Sequence, residues 1–290
     1  MTRLRIVLLV AVAMLAFAGN SLLCRMALKH TTIDPASFTS MRLLTGACML
    51  WLVVRLEGGP REANKVGVWG AGNGWSAAAL FVYAAAFSFA YVSMSAATGA
   101  LLLFGSVQAT MIGYGVWQGE RLRVPQLAGL ALALAGLVAL MLPGLAAPPW
   151  PSALSMVAAG VAWGVYSLRG KLVKNKHVSN PTQVTAGNFL RAVPMALGLS
   201  LLMSTHWVYD RNGLLLAAVS GALASGLGYA IWYHALPALK ATQAATVQLS
   251  VPVIAALGGV LLLGEAITLP LVLASCAILG GIALVILEKK

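Results

Sequence analysis

Gly119, Glu120 and Pro125 recur 145 positions later as Gly264, Glu265 and Pro270, and each set is flanked by long apolar stretches. Ala96, Ala100, Gly136 and Gly19 are matched by Ala241, Ala245, Gly281 and Gly164 at the same offset, which is half of the 290 residues. A chain of this kind must be assembled from two like units. Its composition, 60% hydrophobic and 9% charged, leaves too little polar surface to clothe a soluble domain of this size. The duplicated unit therefore belongs in a lipid bilayer.

A helix that spans a bilayer needs about 20 apolar residues. Ten such runs can be read: 4–27, 36–54, 68–91, 95–117 and 124–142 in the first half, then 151–168, 181–203, 213–233, 239–262 and 268–287 in the second. Five spans per half is an odd number, so the second copy must insert upside down. The expected fold is an all-α integral membrane protein, with ten transmembrane helices in two inverted five-helix repeats, residues 1–145 and 146–290. Many secondary transporters build two alternately open gates from such inverted pairs. Pro143, Gly144, Pro148, Pro149 and Pro151 form a breaker-rich link between the halves.

Cytoplasmic loops retain Lys and Arg. With the N terminus inside, the inner segments hold Arg3, Arg5, Arg55, Arg61, Lys65, Arg121, Arg123, Arg169, Lys171, Lys174, Lys176, Lys240, Lys289 and Lys290. The outer segments hold only Arg25, Lys29 and Arg211, while Arg42 and Arg191 lie within spans. Both termini are expected in the cytoplasm, and the protein in the cell inner membrane as a multi-pass chain. Arg3, Arg5, the apolar run after them and Ala16, Phe17 and Ala18 imitate a secretory signal. The matching segment around Gly164 makes this stretch the first span instead.

The net charge of +12 sits in short gaps between apolar runs, along no single face and within no nucleic-acid motif, so no nucleic-acid partner is expected. Cys24, Cys48 and Cys276 lie in apolar runs without a CxxC or a nearby His, and read as small core residues. A membrane enzyme would need convergent acids or a nucleophile with its base. Neither appears, so the chain reads as no enzyme, with no cofactor and no metal. The expected partners are small solutes and the lipid bilayer, with no obligatory protein partner evident.

Ten spans in two halves, each half carrying the Gly119-Glu120 or Gly264-Glu265 pair and a trailing proline, resemble the drug/metabolite transporter superfamily, in particular its EamA-type ten-helix exporters. The resemblance covers essentially the whole chain. Ala162-Trp163-Gly164-Val165-Tyr166 in span six and Gly226-Leu227-Gly228-Tyr229-Ala230-Ile231-Trp232 in span eight resemble the YddG amino-acid exporters of that group. Gly105 and Ser106 in span four depart from those exporters, which carry an aromatic residue and a proline there. The resemblance implies export of amino acids, aromatic and other apolar ones included, and of related metabolites through a central cavity lined by both halves. The rival cargo is drugs or hydrophobic cations, or another small metabolite. A hydrophobic cation calls for a buried carboxylate, which the spans lack.

Polar residues within spans are costly against lipid and usually face protein or water. The candidates to line a cavity are Asn20, Ser76, Tyr83, Thr98, Gln108, Trp163, Tyr166, Tyr229, Tyr233, Gln243, Gln248 and Ser250. Each amide serves equally well as a hydrogen bond between helices. Trp117, Trp232 and Tyr233 near span ends fit an interfacial belt, whereas Trp163 and Tyr83 fall near mid-span. Pro252 in span nine removes a backbone donor, giving either a bent, solute-binding helix or a kink repaired by neighbours. Arg42 and Arg191 occupy corresponding second helices, where snorkelling is the simple account. Pairing with helix-end carbonyls, or with Glu120 and Glu265 at gates, is the sharper one, and a structural role is favoured for both. The acids all lie in loops or at span ends, so export is expected to run down a gradient without a buried proton carrier.

Overall fold

The computed structural model describes residues 3–57, 67–119, 123–141, 148–172, 181–203, 210–239 and 247–287. The described residues form ten long or moderately long helices: α1 Arg3–His30, α2 Pro35–Glu57, α3 Gly74–Tyr91, α4 Ala96–Trp117, α5 Val124–Met141, α6 Trp150–Leu172, α7 Pro181–Leu202, α8 Arg211–Ala235, α9 Ser250–Leu263 and α10 Leu269–Leu287. A single helical turn, Gly67–Gly70, precedes α3. Seven of these helices are long and apolar enough to cross a membrane on their own. Val124–Ala139, Ser250–Leu263 and Leu269–Leu284 are shorter apolar stretches.

Short polar side chains set several helix starts. The Asn73 side chain accepts from the Ser76 N–H ahead of α3, the Ser95 hydroxyl from the Thr98 N–H ahead of α4, and the Asp210 carboxylate from the Gly213 N–H ahead of α8. Asp34 serves α2 in the same way, accepting from the Ala36 and Ser37 N–H groups, while Pro35 takes the first helical position, where no donor is needed. The repeated glycines do matching work at two helix ends. Gly119 after α4 has φ +92° and Gly264 after α9 has φ +62°, a left-handed conformation that glycine enters without strain.

The hydrogen bonds at one end of the bundle establish helix direction. There Arg25 near the end of α1 meets Glu265 after α9 and the Tyr91 carbonyl that ends α3, and the same Glu265 caps Ala96 at the start of α4. Ser93 meets Ser152 at the start of α6, and Thr32 meets Asp210 at the start of α8. Thus α1 ends where α6, its counterpart, begins, and the second set of five helices runs antiparallel to the first. Neighbours are exchanged accordingly. α1 packs on α8 and α9 as α6 packs on α3 and α4, while α2 crosses α7 and α5 crosses α10.

Small residues bring the backbones together at these crossings. A Cβ on Gly136 of α5 would stand 2.9 Å from Ile278 Cγ1, and one on Gly281 of α10 would stand 2.7 Å from the Ala133 nitrogen. Ala133 and Ile278 are themselves 145 residues apart, so the seam is reciprocal. Gly221 of α8 lies against the Arg42 carbonyl and the Thr45 hydroxyl of α2. Over Ser220–Leu227 the helix widens to π geometry, with the Gly228 N–H returning to the Leu223 carbonyl five residues back. Such widened turns cluster at functional sites, and this one borders the centre of the bundle.

Several expectations change at this level. Cys24 is buried, but Cys48 and Cys276 are exposed on the outside of the bundle, where their apolar surroundings are those of a lipid-facing surface rather than a core. Trp232 is buried against Phe17, with ring centroids 6.0 Å apart, and belongs to the interior instead of an interfacial belt. Pro252 stands in the first turn of α9, and the helical run of Val247 and Gln248 is interrupted at Leu249 before it resumes at Ser250, about a turn ahead of the proline. Pro194 does lie inside α7.

Candidate functional site

A central cavity lies among α1, α3, α4, α6 and α8, walled by Asn20, Ser21, Tyr83, Phe87, Trp163, Tyr229 and the apolar Phe17, Leu103, Phe104 and Ala224. Its volume is about 350 Å³, most of it crevices between side chains too narrow for a water molecule. That leaves room for about one or two waters. Aromatic rings fill the rest: Trp163 stacks on Tyr229 at 5.1 Å and on Tyr166 at 5.4 Å, and tilts against Tyr83 at 4.8 Å. The rings leave little room for a solute of several heavy atoms, which fits only if they move apart.

A polar cluster braces one wall. Asn20 donates to the Tyr83 hydroxyl at 3.4 Å and accepts from the Ser220 hydroxyl at 2.7 Å, joining α1, α3 and α8. Arg42, only 1% exposed, donates from Nη2 to the same Tyr83 hydroxyl at 3.0 Å and from Nε to the Ser225 hydroxyl at 3.1 Å. Its guanidinium carbon lies 5.2 Å from the Tyr83 ring centroid and 4.9 Å from that of Phe87. Snorkelling therefore fails for Arg42: the side chain turns into the bundle and stands directly behind two residues of the cavity wall.

Toward the end of the bundle opposite Arg25, a second cavity of about 570 Å³ opens between α3, α6, α7 and α8. Tyr166, Arg169, Asn188 and Tyr233 line it, together with Asn73, Ser76 and Thr185. Arg169 donates to Ser76 Oγ at 3.3 Å and to Asn73 Oδ1 at 3.2 Å, and Asn188 donates to the Tyr166 hydroxyl at 3.4 Å. Trp163 and Tyr166 are thus stacked neighbours facing the central and the second cavity respectively.

The Arg25 end is sealed by an ion pair. Arg25 Nε lies 3.2 Å from Glu265 Oε1, both side chains are nearly buried, and Arg25 Nη1 reaches the Tyr91 and Val92 carbonyls at 2.9 Å each. Glu265 Oε2 accepts from the Ala96 N–H at 2.8 Å, and Lys29 reaches the Leu263 carbonyl. One carboxylate thereby ties α1, α3, α4 and α9 together. Arg191 takes a different role, donating to the carbonyls of Ala71 and Gly187, which fastens α7 to the segment ahead of α3.

Asn20, Tyr83, Trp163 and Tyr229 meet at the central cavity, and Tyr166 lines the second one, as do Ser76 and Tyr233. Others fall elsewhere. Thr98 accepts from the Ser95 hydroxyl in the capping turn of α4, and Gln108 is buried in α4 outside both linings. Ser250 donates to the Val247 carbonyl and, with Ile254, borders an apolar groove beside the start of α1. Gln248 also lies outside the central lining. Gln243 and Glu120 lie outside the described residues. Phe17, Ser21, Phe87, Ser225 and Arg25 were not anticipated. Among the described residues no three His, Cys, Asp or Glu converge as metal ligands would.

Comparison with known proteins agrees with this architecture. A solved crystal structure superposes with a TM-score of 0.66 at 21% identity, over 98% of this chain and 96% of that one, which establishes a shared fold. The uncharacterized protein PA1977 of Pseudomonas aeruginosa is 54% identical over 98% of this chain and 96% of its own length. The threonine/homoserine exporter RhtA of Salmonella typhimurium is 31% identical over 43% of this chain and 41% of its own. The profile of the EamA-like transporter family matches residues 4–142 and 150–287, nearly the whole sequence. The chain belongs to the EamA-like transporter family, as a multi-pass helical membrane protein.

Proposed function

We propose that this protein exports small amino acids and related metabolites across the cell inner membrane by alternating access. The observation that carries the reading is the central cavity between two antiparallel sets of helices, latched by Arg25 and Glu265 at one end and approached through the second cavity at the other. A solute arriving from the Arg169 side would meet Trp163 and Tyr166 as a partition, and leave on the Arg25 side once the ion pair parts. Both halves, residues 1–145 and 146–290, supply helices to the packed groups that rock, α1 with α8 and α9 against α3 and α4 with α6. The charge distribution supports a cytoplasmic position for the Arg169 end and both termini, and net travel is outward while the solute is more concentrated inside.

Amino acids are the favoured cargo for two reasons. RhtA, a relative over part of the chain, carries threonine and homoserine. The sequence motifs of α6 and α8 resemble those of the YddG exporters. A drug or hydrophobic-cation exporter fits less well, because among the described residues no carboxylate lines either cavity. The same lack supports facilitated movement without proton coupling.

The test is solute counterflow in proteoliposomes. Vesicles holding unlabelled amino acids should accumulate labelled ones, and should do so equally with and without a pH gradient. Strict dependence on a gradient refutes the facilitated mechanism; no accumulation of any amino acid refutes the cargo.

A further inference from the structure

Arg42 is a permanent positive charge in the interior of a membrane bundle. A charge inside a spanning helix is costly to bury, so it ordinarily pairs with an anion or with backbone carbonyls. Here the anion is missing: among the described residues no Asp or Glu pairs with Arg42, and Asp34, Asp210 and Glu265 all stand at helix ends. Its Nε and Nη2 meet only the neutral oxygens of Ser225 and Tyr83. Among the described residues Nη1, itself buried, finds no hydrogen-bond partner. A buried donor left bare is expensive to keep.

We propose that the missing counter-ion is the carboxylate of the transported solute, which docks on Arg42 Nη1 when the central cavity opens. The inference rests on the transport reading above and deepens it. The barrier between guanidinium and cavity is one side chain thick, since Tyr83 and Phe87 touch the guanidinium and also line the cavity. Ala224, next to the Ser225 that holds Nε, lines it as well. The rings gripping the guanidinium hold it in place, so it waits as a fixed receptor. The faces of Trp163 and Tyr229 offer cation–π surface to an ammonium group. A site with a guanidinium beside aromatic faces selects small zwitterionic amino acids and discriminates against the corresponding amides and amines.

The experiment uses the full-length protein in proteoliposomes, with counterflow of a labelled amino-acid mixture and two competitor sets: the free amino acids, and their carboxamides. For the wild type, the free acids should compete at least about tenfold better than the amides, a factor corresponding to about 1.4 kcal/mol. Arg42→Lys should retain that preference in part, and Arg42→Gln should lose amino-acid transport or equalise the two sets. As a check that does not depend on folding of an Arg42 variant, titration of wild-type tryptophan fluorescence should respond to free acids and not to amides. Equal competition by acids and amides in the wild type, or unchanged preference in a folded Arg42→Gln protein, overturns the assignment while leaving transport intact. Failure of the wild type to move any amino acid sinks the cargo reading, and this assignment with it.

Discussion

Replacing Glu265 by glutamine keeps the shape of the latch and removes its charge. The carboxylate now accepts from Arg25 Nε at 3.2 Å and from the Ala96 N–H at 2.8 Å, whereas a glutamine amide has one carbonyl oxygen and cannot serve both. The two side chains are 12% and 8% exposed, which places the pair much nearer the buried case than the surface one. Removing one member of a buried pair costs about 3–5 kcal/mol, and a lost charge-assisted hydrogen bond about 1.5–3 kcal/mol. Glutamine leaves one bond in place, so about 2 kcal/mol is the expected loss. The pair exists only while α1, α3, α4 and α9 are gathered, so this loss falls entirely on the sealed conformation. At about 1.4 kcal/mol per tenfold, the population open on the Arg25 side rises about thirtyfold. Ser21→Cys, in a background with Cys24, Cys48 and Cys276 removed, reports that opening through its labelling rate with an impermeant thiol reagent added on the Arg25 side. Arg25→Gln should accelerate labelling similarly, and the double variant should add little to either single change. An unchanged rate in Glu265→Gln would falsify the latch.

Trp163→Ala removes three ring contacts worth about 0.5–1.5 kcal/mol each and should lower amino-acid counterflow by about tenfold or more. Gln248→Ala, outside the central lining, should change counterflow by less than about twofold. Gly221→Ala drives a Cβ into the Arg42 carbonyl and the Thr45 hydroxyl; overpacking of this kind costs about 1–3 kcal/mol and should appear as a lower melting temperature in detergent. Asp210 is held below the ordinary carboxylate range, first by the Gly213 N–H and then by the Thr32 N–H. Its contribution to stability is therefore present at neutral pH and is lost only as pH falls through that lowered value. Asp210→Asn should thus destabilise the protein at pH 7, and the difference from wild type should shrink in acid; a difference that grows on acidification contradicts this account.

The offset of 145 residues made the helix count and the opposed running of the two halves legible without coordinates, because an odd number of spans leaves the second copy no other way to insert. Mid-span aromatics were equally informative, and Tyr83, Trp163 and Tyr229 do meet. The direction in which single polar residues face was much less so. In a bilayer both the lipid-facing and the inward-facing sides of a helix are apolar, so period 3.6 carries little contrast and a lone Thr98 or Ser250 cannot be assigned a side. Thr98 did carry a local signal: a serine three positions ahead, at the start of an apolar run, is a capping pattern. The partners of Arg42 were hidden for a different reason. Depth along the span does not name them, because its path is set by Tyr83 and Ser225, which lie 41 and 183 residues away along the chain. The Arg25–Glu265 pair, 240 residues apart, left no trace in local sequence.

Gly136 and Gly281 seat α5 and α10 backbone against backbone, so that pair behaves as a keel that cannot part without exposing bare peptide surface to lipid. Any change of shape then falls on the helices packed around it, α1 with α8 and α9 on one side and α3 and α4 with α6 on the other. A glycine in a left-handed turn ends α4 and another ends α9, Gly119 and Gly264, and each can act as a bearing. A side chain at either place would stiffen one bearing and leave its mate free, biasing the protein toward whichever face the unhindered side can still open.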